Sequence, residues 1–221
     1  MTALQLQVAF QRELNQFEEK PHINTNDVLY WLNQSVNKYV NNNLSLFETD
    51  QYVTDALNPL VREETLAVIA GTSKPYSFTA NLSSLSSVYR HRVGEEVGIL
   101  YTDVKGSVIS KRQGVTECTV DTYRKHIDNP FSEHRLHYTE AKPLRLIRNN
   151  LVELITDGSY SITNYYIRFI KEPATITYSQ TCDLASFIHP LIVKQAVDMA
   201  IENIGDTNRL QTHSIETKTM G

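Results

Sequence analysis

Residues 189–205 read HPLIVKQAVDMAIENIG and decide the fold class, because they predict a long helix with an unusually wide apolar face. His189 stands at a plausible cap position, and Pro190 falls in the first turn, where its missing N–H costs no helical hydrogen bond. The polar side chains make one narrow stripe, formed by Lys194, Gln195, Asp198 and Glu202. Such a helix must be covered on several sides, so it is either central to a core or partly covered by a neighbouring subunit. Gly205 ends it.

Two further helices are predicted near the start of the sequence. Residues 3–18 place one apolar stripe opposite Gln, Arg and Glu, and this stripe contains Ala3, Leu6, Phe10, Leu14 and Phe17. Pro21 ends this helix, a cap among residues 24–26 begins the next, and the asparagine run 41–43 ends that one. We expect these two helices to pack as an antiparallel hairpin, followed by a third short helix at 49–57.

The middle of the sequence changes to short segments separated by Gly, Ser, Pro and Asn, which is typical of strands. The predicted strands are 63–70, 75–82, 87–93, 97–102, 143–148, 150–156 and 160–171. A helix at 119–127, ended by Asp128-Asn129-Pro130, interrupts them. Asp157-Gly158 fits a type I′ turn and predicts a hairpin between the last two strands. The last strand alternates between two faces, one with Tyr165, Ile167 and Phe169 and the other with Tyr166, Arg168 and Ile170.

The order of these elements predicts an α+β fold. Residues 1–57 and 190–205 are expected to be helical, with the N-terminal hairpin and the C-terminal helix packed beside a β-rich middle region at 60–173. We expect a single composite domain over residues 1–205. Residues 206–221 form a polar C-terminal tail with almost no apolar anchor, and alone it is expected to be disordered.

The composition excludes several classes of function. The 221 residues carry a formal net charge of -4. The basic stretches at 89–92 and 144–148 are short and alternating, as on the polar face of a strand, so sequence-specific DNA binding is not expected. No secretory signal or membrane-spanning stretch is predicted, so we expect synthesis in the cytoplasm without a membrane partner. Cys118 and Cys182 are expected to be reduced, partly buried thiols.

Aromatic composition points to surfaces that become buried on assembly. The chain has 12 Tyr against a single Trp. Tyrosine suits positions that are half buried, or buried only on assembly, because its hydroxyl can stay hydrated while the ring packs.

Catalytic motifs are missing from the sequence, which contains no glycine-rich phosphate loop and no HExxH, GxSxG or kinase-type set. We therefore expect no enzyme activity and name no catalytic, cofactor-binding or metal-binding residue. The alternative is a small metal enzyme built on His126, His134, His137 and nearby carboxylates. The adjacent pairs Glu63-Glu64 and Glu95-Glu96 should point to opposite faces of a strand. A nucleophile and base formed by Cys118 and His126 is less favoured than a buried thiol.

Four stretches together resemble a known family. They are NDVLYWLNQSVNKYV at 26–40, LNPLV at 57–61, DTYRKHIDNPF at 121–131, and YYIRFIKEP at 165–173 followed by CDL at 182–184, HPLIV at 189–193 and Ala196-Val197. In this order they resemble the neck or ring proteins of crAss-like tailed bacteriophages, and more loosely the head–tail adaptors of short-tailed phages. Ala185 departs from the pattern, which has Pro after the leucine. The resemblance covers most of the chain.

This resemblance implies a virion structural protein rather than an enzyme. It implies a homo-oligomeric ring in the head–tail connector, commonly of twelve copies, that joins the portal protein to adjacent neck or tail proteins and encloses the DNA channel. The protein would be made in the bacterial host cytoplasm and end in the neck or tail of the virion. Another tail or baseplate component is the alternative within the same class.

Overall fold

The computed structural model describes residues 1–15, 23–72, 74–135 and 140–204. Within these ranges it has five α-helices and two β-sheets, which confirms the predicted α+β fold class. The chain forms two compact units. The helical unit contains residues 1–60 and the chain from Pro173 onward, and the sandwich unit contains Val61–Glu172. The composite domain over 1–205 stays a prediction, and the tail 206–221 lies outside the described residues.

The α-helices are α1 (Ala3–Leu14), α2 (Thr25–Asn43), α3 (Gln51–Leu57), α4 (Val120–Asp128) and α5 (His189–Ile204). All except α4 belong to the helical unit. A reciprocal capping box begins α1: Gln5 N donates to Thr2 Oγ1 over 3.2 Å, and Thr2 N donates to Gln5 Oε1 over 2.8 Å. Asp50 caps α3 by accepting from Val53 N at 3.1 Å.

Helix α5 is central to the core of the helical unit, because α1 and α2 each pack on it more extensively than on each other. Its buried face consists of Ile192, Val193, Ala196, Val197, Ala200 and Ile201. Ser35 of α2 is fully buried and donates to Ile192 O over 2.8 Å, so the polar atom at this interface is satisfied. Most of the wide apolar face of α5 is therefore covered by the core of its own chain.

The ends of the predicted helices differ in detail from the observed ones. The link between α1 and α2, with Phe17 and Pro21, lies outside the described residues, so the antiparallel hairpin stays a prediction. Helix α2 includes the asparagine run, and Asn43 Nδ2 donates to Tyr39 O over 2.8 Å within it. His189 is the first residue of α5 and not its cap, because a 3₁₀ turn at Ser186–Ile188 leads directly into the helix.

The strands are β1 (Val61–Ala67), β2 (Ile69–Ala70), β3 (Ser77–Asn81), β4 (Tyr89–Thr102), β5 (Val108–Gly114), β6 (Thr116–Glu117), β7 (Leu144–Arg148), β8 (Leu151–Ile155) and β9 (Ser161–Lys171). The first sheet has the order β1-β9-β4-β5 and is antiparallel. The second has the order β2-β3-β8-β7-β6, with β6 and β7 parallel. Side chains of both sheets share one hydrophobic core, so this unit is a β-sandwich.

Strand β9 lies at the centre of this core, as its alternation predicted. Tyr165, Ile167 and Phe169 are buried in the core between the sheets, whereas Arg168 on the opposite face is exposed. Strand β9 therefore contributes two buried aromatic side chains, Tyr165 and Phe169, to this core.

Two strand boundaries were predicted wrongly because the register could not be read from the sequence. The predicted strand 63–70 is two strands, β1 and β2, which belong to different sheets. The predicted strands 87–93 and 97–102 are the single strand β4. It pairs with β9 along its length, and register shifts such as the one between Arg92 and Gly94 allow it to continue.

The type I′ hairpin predicted at Asp157-Gly158 is also wrong. Strands β8 and β9, on either side of it, lie in different sheets. Gly158 has a φ of +92°, but Asp157 is not among the residues with positive φ. Its side chain instead accepts from Ser159 N at 2.9 Å and from Ser159 Oγ at 2.6 Å, as in an Asx turn that carries the chain between sheets. The tight hairpin joins β7 and β8, where Asn149 has a φ of 53°.

Candidate functional site

A groove between α1 and α2 exposes aliphatic side chains of the helical unit. It has a volume of about 650 Å³ and is lined by Leu4, Gln7, Val8, Gln11, Arg12, Asn15, Thr25 and Val28. Leu4 and Val8 are four residues apart, so they lie on the same face of α1. They are 69% and 57% exposed, although aliphatic side chains of this size gain free energy from burial. We call this surface the α1–α2 groove.

Gln7 adds an unsatisfied polar group to this groove. The residue is only 9% exposed, and its Nε2 atom is buried without a hydrogen-bond partner among the residues that the structure describes. A buried amide donor without an acceptor costs about 1–3 kcal/mol relative to one that is hydrogen-bonded. The groove therefore combines exposed aliphatic side chains with a buried amide donor that has no acceptor among the described residues.

The sequence pattern did not single out this groove. It predicted the apolar stripe of α1, and Leu6, Phe10 and Leu14 are buried. Polar residues were predicted for the face opposite the stripe, and the face beside it was not assigned. The available signal was the pair Leu4 and Val8, which have helical spacing but lie outside the stripe that packs on the core.

The predicted histidine site is partly brought together in the sandwich unit. The Ser132 Oγ atom lies 3.0 Å from His134 Nδ1 and 3.4 Å from His126 Nδ1, and His134 is only 1% exposed. Burial lowers the pKa of His134, so its imidazole is neutral near pH 7. His137 lies outside the described residues. Among those that are described, no group of three or more His, Cys, Asp and Glu side chains is arranged to hold a metal ion.

The predicted acidic pair Glu95-Glu96 divides between two environments, as neighbours in a strand should. Glu95 is buried, where it pairs with Arg92 and Arg145, and it accepts from the Tyr165 hydroxyl at 2.5 Å. Glu96 is half exposed and lies 3.8 Å from Arg112. These carboxylates therefore cannot act together on one substrate.

One arginine of each basic stretch, Arg92 and Arg145, meets the other at a shared carboxylate within the sandwich unit, whereas His91 and Arg148 are exposed. Glu117 pairs with both Arg92 of β4 and Arg145 of β7, so it bridges the stretches. Arg145 was predicted to lie on a polar strand face, but its side chain is only 7% exposed. The prediction was wrong because the Arg145 guanidinium pairs with the buried carboxylate of Glu95, and this pair lies in the interior of the sandwich unit.

Cys118 is a structural thiol. It packs in a small core with Leu144, Leu146 and Ile155, and burial raises its pKa to about 11. A thiol with a raised pKa is protonated near pH 7 and is a poor nucleophile. Cys182 is buried as well, and both cysteines are free, as the sequence predicted.

Comparison with known proteins provides no further assignment. No family model matches the sequence, and no curated protein matches it. Among the described residues, no helix combines the length and the apolar character needed to cross a bilayer.

Proposed function

We propose that this chain is a structural protein of a tailed-bacteriophage virion and forms a ring in the head–tail connector. The observation that supports the proposal is the α1–α2 groove, where Leu4 and Val8 expose an aliphatic surface on one face of α1 that a partner chain can cover. The four sequence stretches that resemble crAss-like neck proteins supply the kind of partner. These are further copies of the chain, the portal protein and adjacent neck or tail proteins.

The distribution of apolar surface is compatible with a ring subunit. In a ring, each copy uses two different surfaces to contact its two neighbours. Besides the groove, the helical unit exposes the aromatic pair Tyr52 and Phe187, whose ring centroids lie 5.1 Å apart. These side chains are 56% and 45% exposed. Aromatic side chains of this kind are enriched at protein–protein interfaces.

The ion pairs of the sandwich unit are compatible with a DNA channel whose wall does not bind the DNA tightly. Nucleic-acid affinity depends mainly on Lys and Arg side chains that neutralise phosphates. In the sandwich unit, Arg92 and Arg145 are instead neutralised by the carboxylates of Glu95 and Glu117. A mildly acidic ring can therefore surround a DNA channel without sequence-specific binding.

The proposal is tested by measuring the mass of the wild-type protein alone and with the portal protein of the same virion. We expect a closed oligomer of uniform size on the portal. Val8→Glu places a charge in the groove and should abolish this assembly. Val120→Glu is the matched control, because Val120 is also an exposed helical valine, 59% exposed, but lies on α4. A wild-type protein that stays monomeric with the portal present would contradict the proposal.

A tail or baseplate component would show the same self-assembly but a different position in the particle. Density for a labelled copy in a class average of the intact virion separates these two assignments. A label next to the portal supports the connector, whereas a label at the distal end of the tail contradicts it.

A further inference from the structure

We propose that β5 of one copy pairs with β1 of the next copy, so that the first sheet of the sandwich continues from subunit to subunit. These strands are the two ends of that sheet, and among the described residues β1 pairs only with β9 and β5 only with β4. An edge strand can accept a further strand on its other side. The choice of partner follows from the two edges, whereas closure of the paired copies into a ring rests on the proposed function.

The direction and the length of the two strands fit an antiparallel pair. Each strand of this sheet runs antiparallel to its neighbour, so β1 and β5, at opposite ends of four strands, run in opposite directions. When the next copy continues the sheet with the same face outward, its β1 therefore lies antiparallel to β5. Both strands have seven residues, Val61–Ala67 and Val108–Gly114, so they can pair along their whole length.

The side chains of β1 alternate between the face of the sheet that packs in the core and the opposite, outer face. Leu66 is buried and lies opposite Tyr165 of β9, so it is on the core face. Glu64, two residues before it, is on the same face. Glu63 is exposed on the outer face, where it lies opposite Arg168. Strand β1 thus has one carboxylate on each face.

The side chains of β5 are divided in the same way. Ile109 lies opposite Tyr101 of β4 and packs on the core, so Lys111 is on the core face. Arg112 is on the outer face, where its Cζ atom lies 3.8 Å from the centroid of the Tyr166 ring. Both Lys111 and Arg112 are exposed. Strand β5 thus has one cation on each face, next to each other in the sequence as the two carboxylates of β1 are.

One register brings opposite charges together on both faces. When Glu63 lies opposite Arg112, Glu64 lies opposite Lys111, and the two members of each pair are on the same face. Opposite charges in directly opposed positions stabilise a pair of strands. A shift by one residue would place every side chain of one strand on the wrong face, so the charges and the faces select the same register.

The same register matches the two strands from end to end. Residues 61–67 lie opposite residues 114–108, so both strands begin and end together. Leu66 lies opposite Ile109 on the core face, which places an aliphatic pair next to the charged pairs. The complementarity therefore includes the length, the apolar positions and the charges of the two edges.

The charged side chains also have contacts within their own copy, and these contacts are compatible with the pairing. The Arg112 side chain is 56% exposed, and it lies 3.8 Å from the similarly exposed Glu96. Glu64 accepts from Ser86 N at 3.0 Å and from the Ser86 hydroxyl. A carboxylate can accept about four hydrogen bonds, so Glu64 can bind a lysine as well.

The charges disfavour pairing between two copies of the same strand. When identical antiparallel strands pair along their full length, the central residue lies opposite its own copy. This residue is Glu64 in β1 and Lys111 in β5, so like charges would be opposed. Pairing of the two unlike edges is therefore favoured, and such a heterologous contact joins copies head to tail into a ring or an open chain.

A pair of introduced cysteines tests this contact on the full-length chain. In the proposed register Thr65 and Ser110 of adjacent copies are directly opposed, with Cα atoms about 4.5–5.5 Å apart, within the range of a disulfide. Within one copy β1 and β5 are three strand spacings apart, roughly 14 Å, so a disulfide between these positions joins two copies. Thr65→Cys/Ser110→Cys protein is mixed with the portal protein, and a mild thiol oxidant accepts two electrons and two protons from each thiol pair.

We expect a ladder of disulfide-linked oligomers in non-reducing electrophoresis. Thr65→Cys/Ser107→Cys is the matched control, because Ser107 is also exposed but lies about 10 Å from the opposed position, beyond the reach of a disulfide. It should give at least about tenfold less product. The native Cys118 and Cys182 are buried with raised pKa values, so they interfere little. Equal yields from the two variants, or no ladder at all, would overturn the inference.

Exchange of the charges provides a second test without cysteines. Glu63→Lys/Glu64→Lys protein and Lys111→Glu/Arg112→Glu protein should each assemble at least about tenfold more weakly than the wild type, because like charges are then opposed. An equimolar mixture of the two should assemble again, since every contact between the two variants joins opposite charges. This recovery also shows that both variants are folded. A mixture that remains dissociated counts against the pairing.

The wild-type mass measurement with the portal tests the ring separately. A closed ring in which Thr65→Cys/Ser110→Cys gives no ladder removes only the strand pairing. Cross-linked copies that form open chains without a uniform size remove only the proposed function.

Discussion

Glu95 and Arg145 form a buried ion pair that joins the two sheets of the sandwich, with Arg145 Nε 2.9 Å from Glu95 Oε1. Glu95 belongs to β4 of the first sheet and Arg145 to β7 of the second. The side chains are 8% and 7% exposed, so neither charge is stabilised by much water. The Tyr165 hydroxyl donates to the other carboxylate oxygen, and its own pKa is raised, mainly by burial.

Arg145→Met should destabilise the sandwich unit by about 1.5–3 kcal/mol, because it removes one of the two guanidinium groups that pair with the buried Glu95 carboxylate, while Arg92 stays in place. The free energy of unfolding, measured by chemical denaturation, tests this expectation. Arg112→Met is the control, since Arg112 and its partner Glu96 are both more than half exposed and such a pair contributes at most about 1 kcal/mol. Equal effects of the two substitutions would show that burial does not determine the strength of the Glu95 pair.

Gln7→Met should stabilise the isolated protein by about 1 kcal/mol, because it removes a buried donor that has no acceptor in the part of the chain that the structure describes. Thermal unfolding of the wild type and the variant measures the difference. Gln11→Met is the comparison within the same groove, and its side chain is not among those with an unsatisfied buried atom. A destabilised Gln7→Met protein would mean that Gln7 is satisfied in solution.

The stability of the sandwich unit should fall in mild acid. Burial lowers the pKa of His134, so the folded state holds this imidazole neutral while the unfolded state binds a proton near pH 6.5. The unfolded state is therefore favoured as the pH falls below about 6.5. Unfolding measured between pH 7.5 and pH 5 should show this loss.

His134→Gln should make the same profile flatter, because glutamine has no proton to gain over this range. His189 in the helical unit also has a pKa lowered mainly by burial, so some acid sensitivity remains in the variant. If the profiles of the wild type and His134→Gln coincide, His134 does not control the response.

Gly158→Ala should cost more stability than Gly106→Ala, although both glycines have a positive φ of +92° and +80°. A Cβ atom at Gly158 would lie 2.8 Å from the Tyr76 ring, whereas one at Gly106 meets nothing within 4 Å. The backbone cost of roughly 1 kcal/mol is common to both substitutions. Denaturation midpoints measure the additional cost at Gly158, and combining Gly158→Ala with Tyr76→Ala should remove that excess.

Sequence patterns predicted most of the elements because burial repeats with the period of the structure. Strand β9 was predicted correctly from its alternation, and α2 and α5 from their helical stripes. Register and strand partners were not predictable. The chain changes sheets near Val68 and again at Asp157-Gly158, and no local signal distinguishes such a crossing from an ordinary turn.

The second face of α1 and the burial of Arg145 were also not predicted from the sequence. Periodicity identified the face of α1 that packs in the core, but not the second face that carries Leu4 and Val8. Arg145 was misplaced because its carboxylate partner is 50 residues distant in the sequence. An ion pair between distant residues leaves no periodic pattern, so only the folded chain reveals it.

The helical unit is assembled from two stretches of chain separated by the whole sandwich. During synthesis, α1 and α2 leave the ribosome well before α5, which follows the sandwich in the sequence. At about 5–20 residues per second, the interval is on the order of 10 s. Until α5 is synthesised, it cannot bury the apolar faces of α1 and α2, whereas all strands of the sandwich precede it in the sequence. A nascent chain stalled before His189 should therefore bind chaperones through its first two helices, whereas the chain released from the ribosome, with α5 in place, should not.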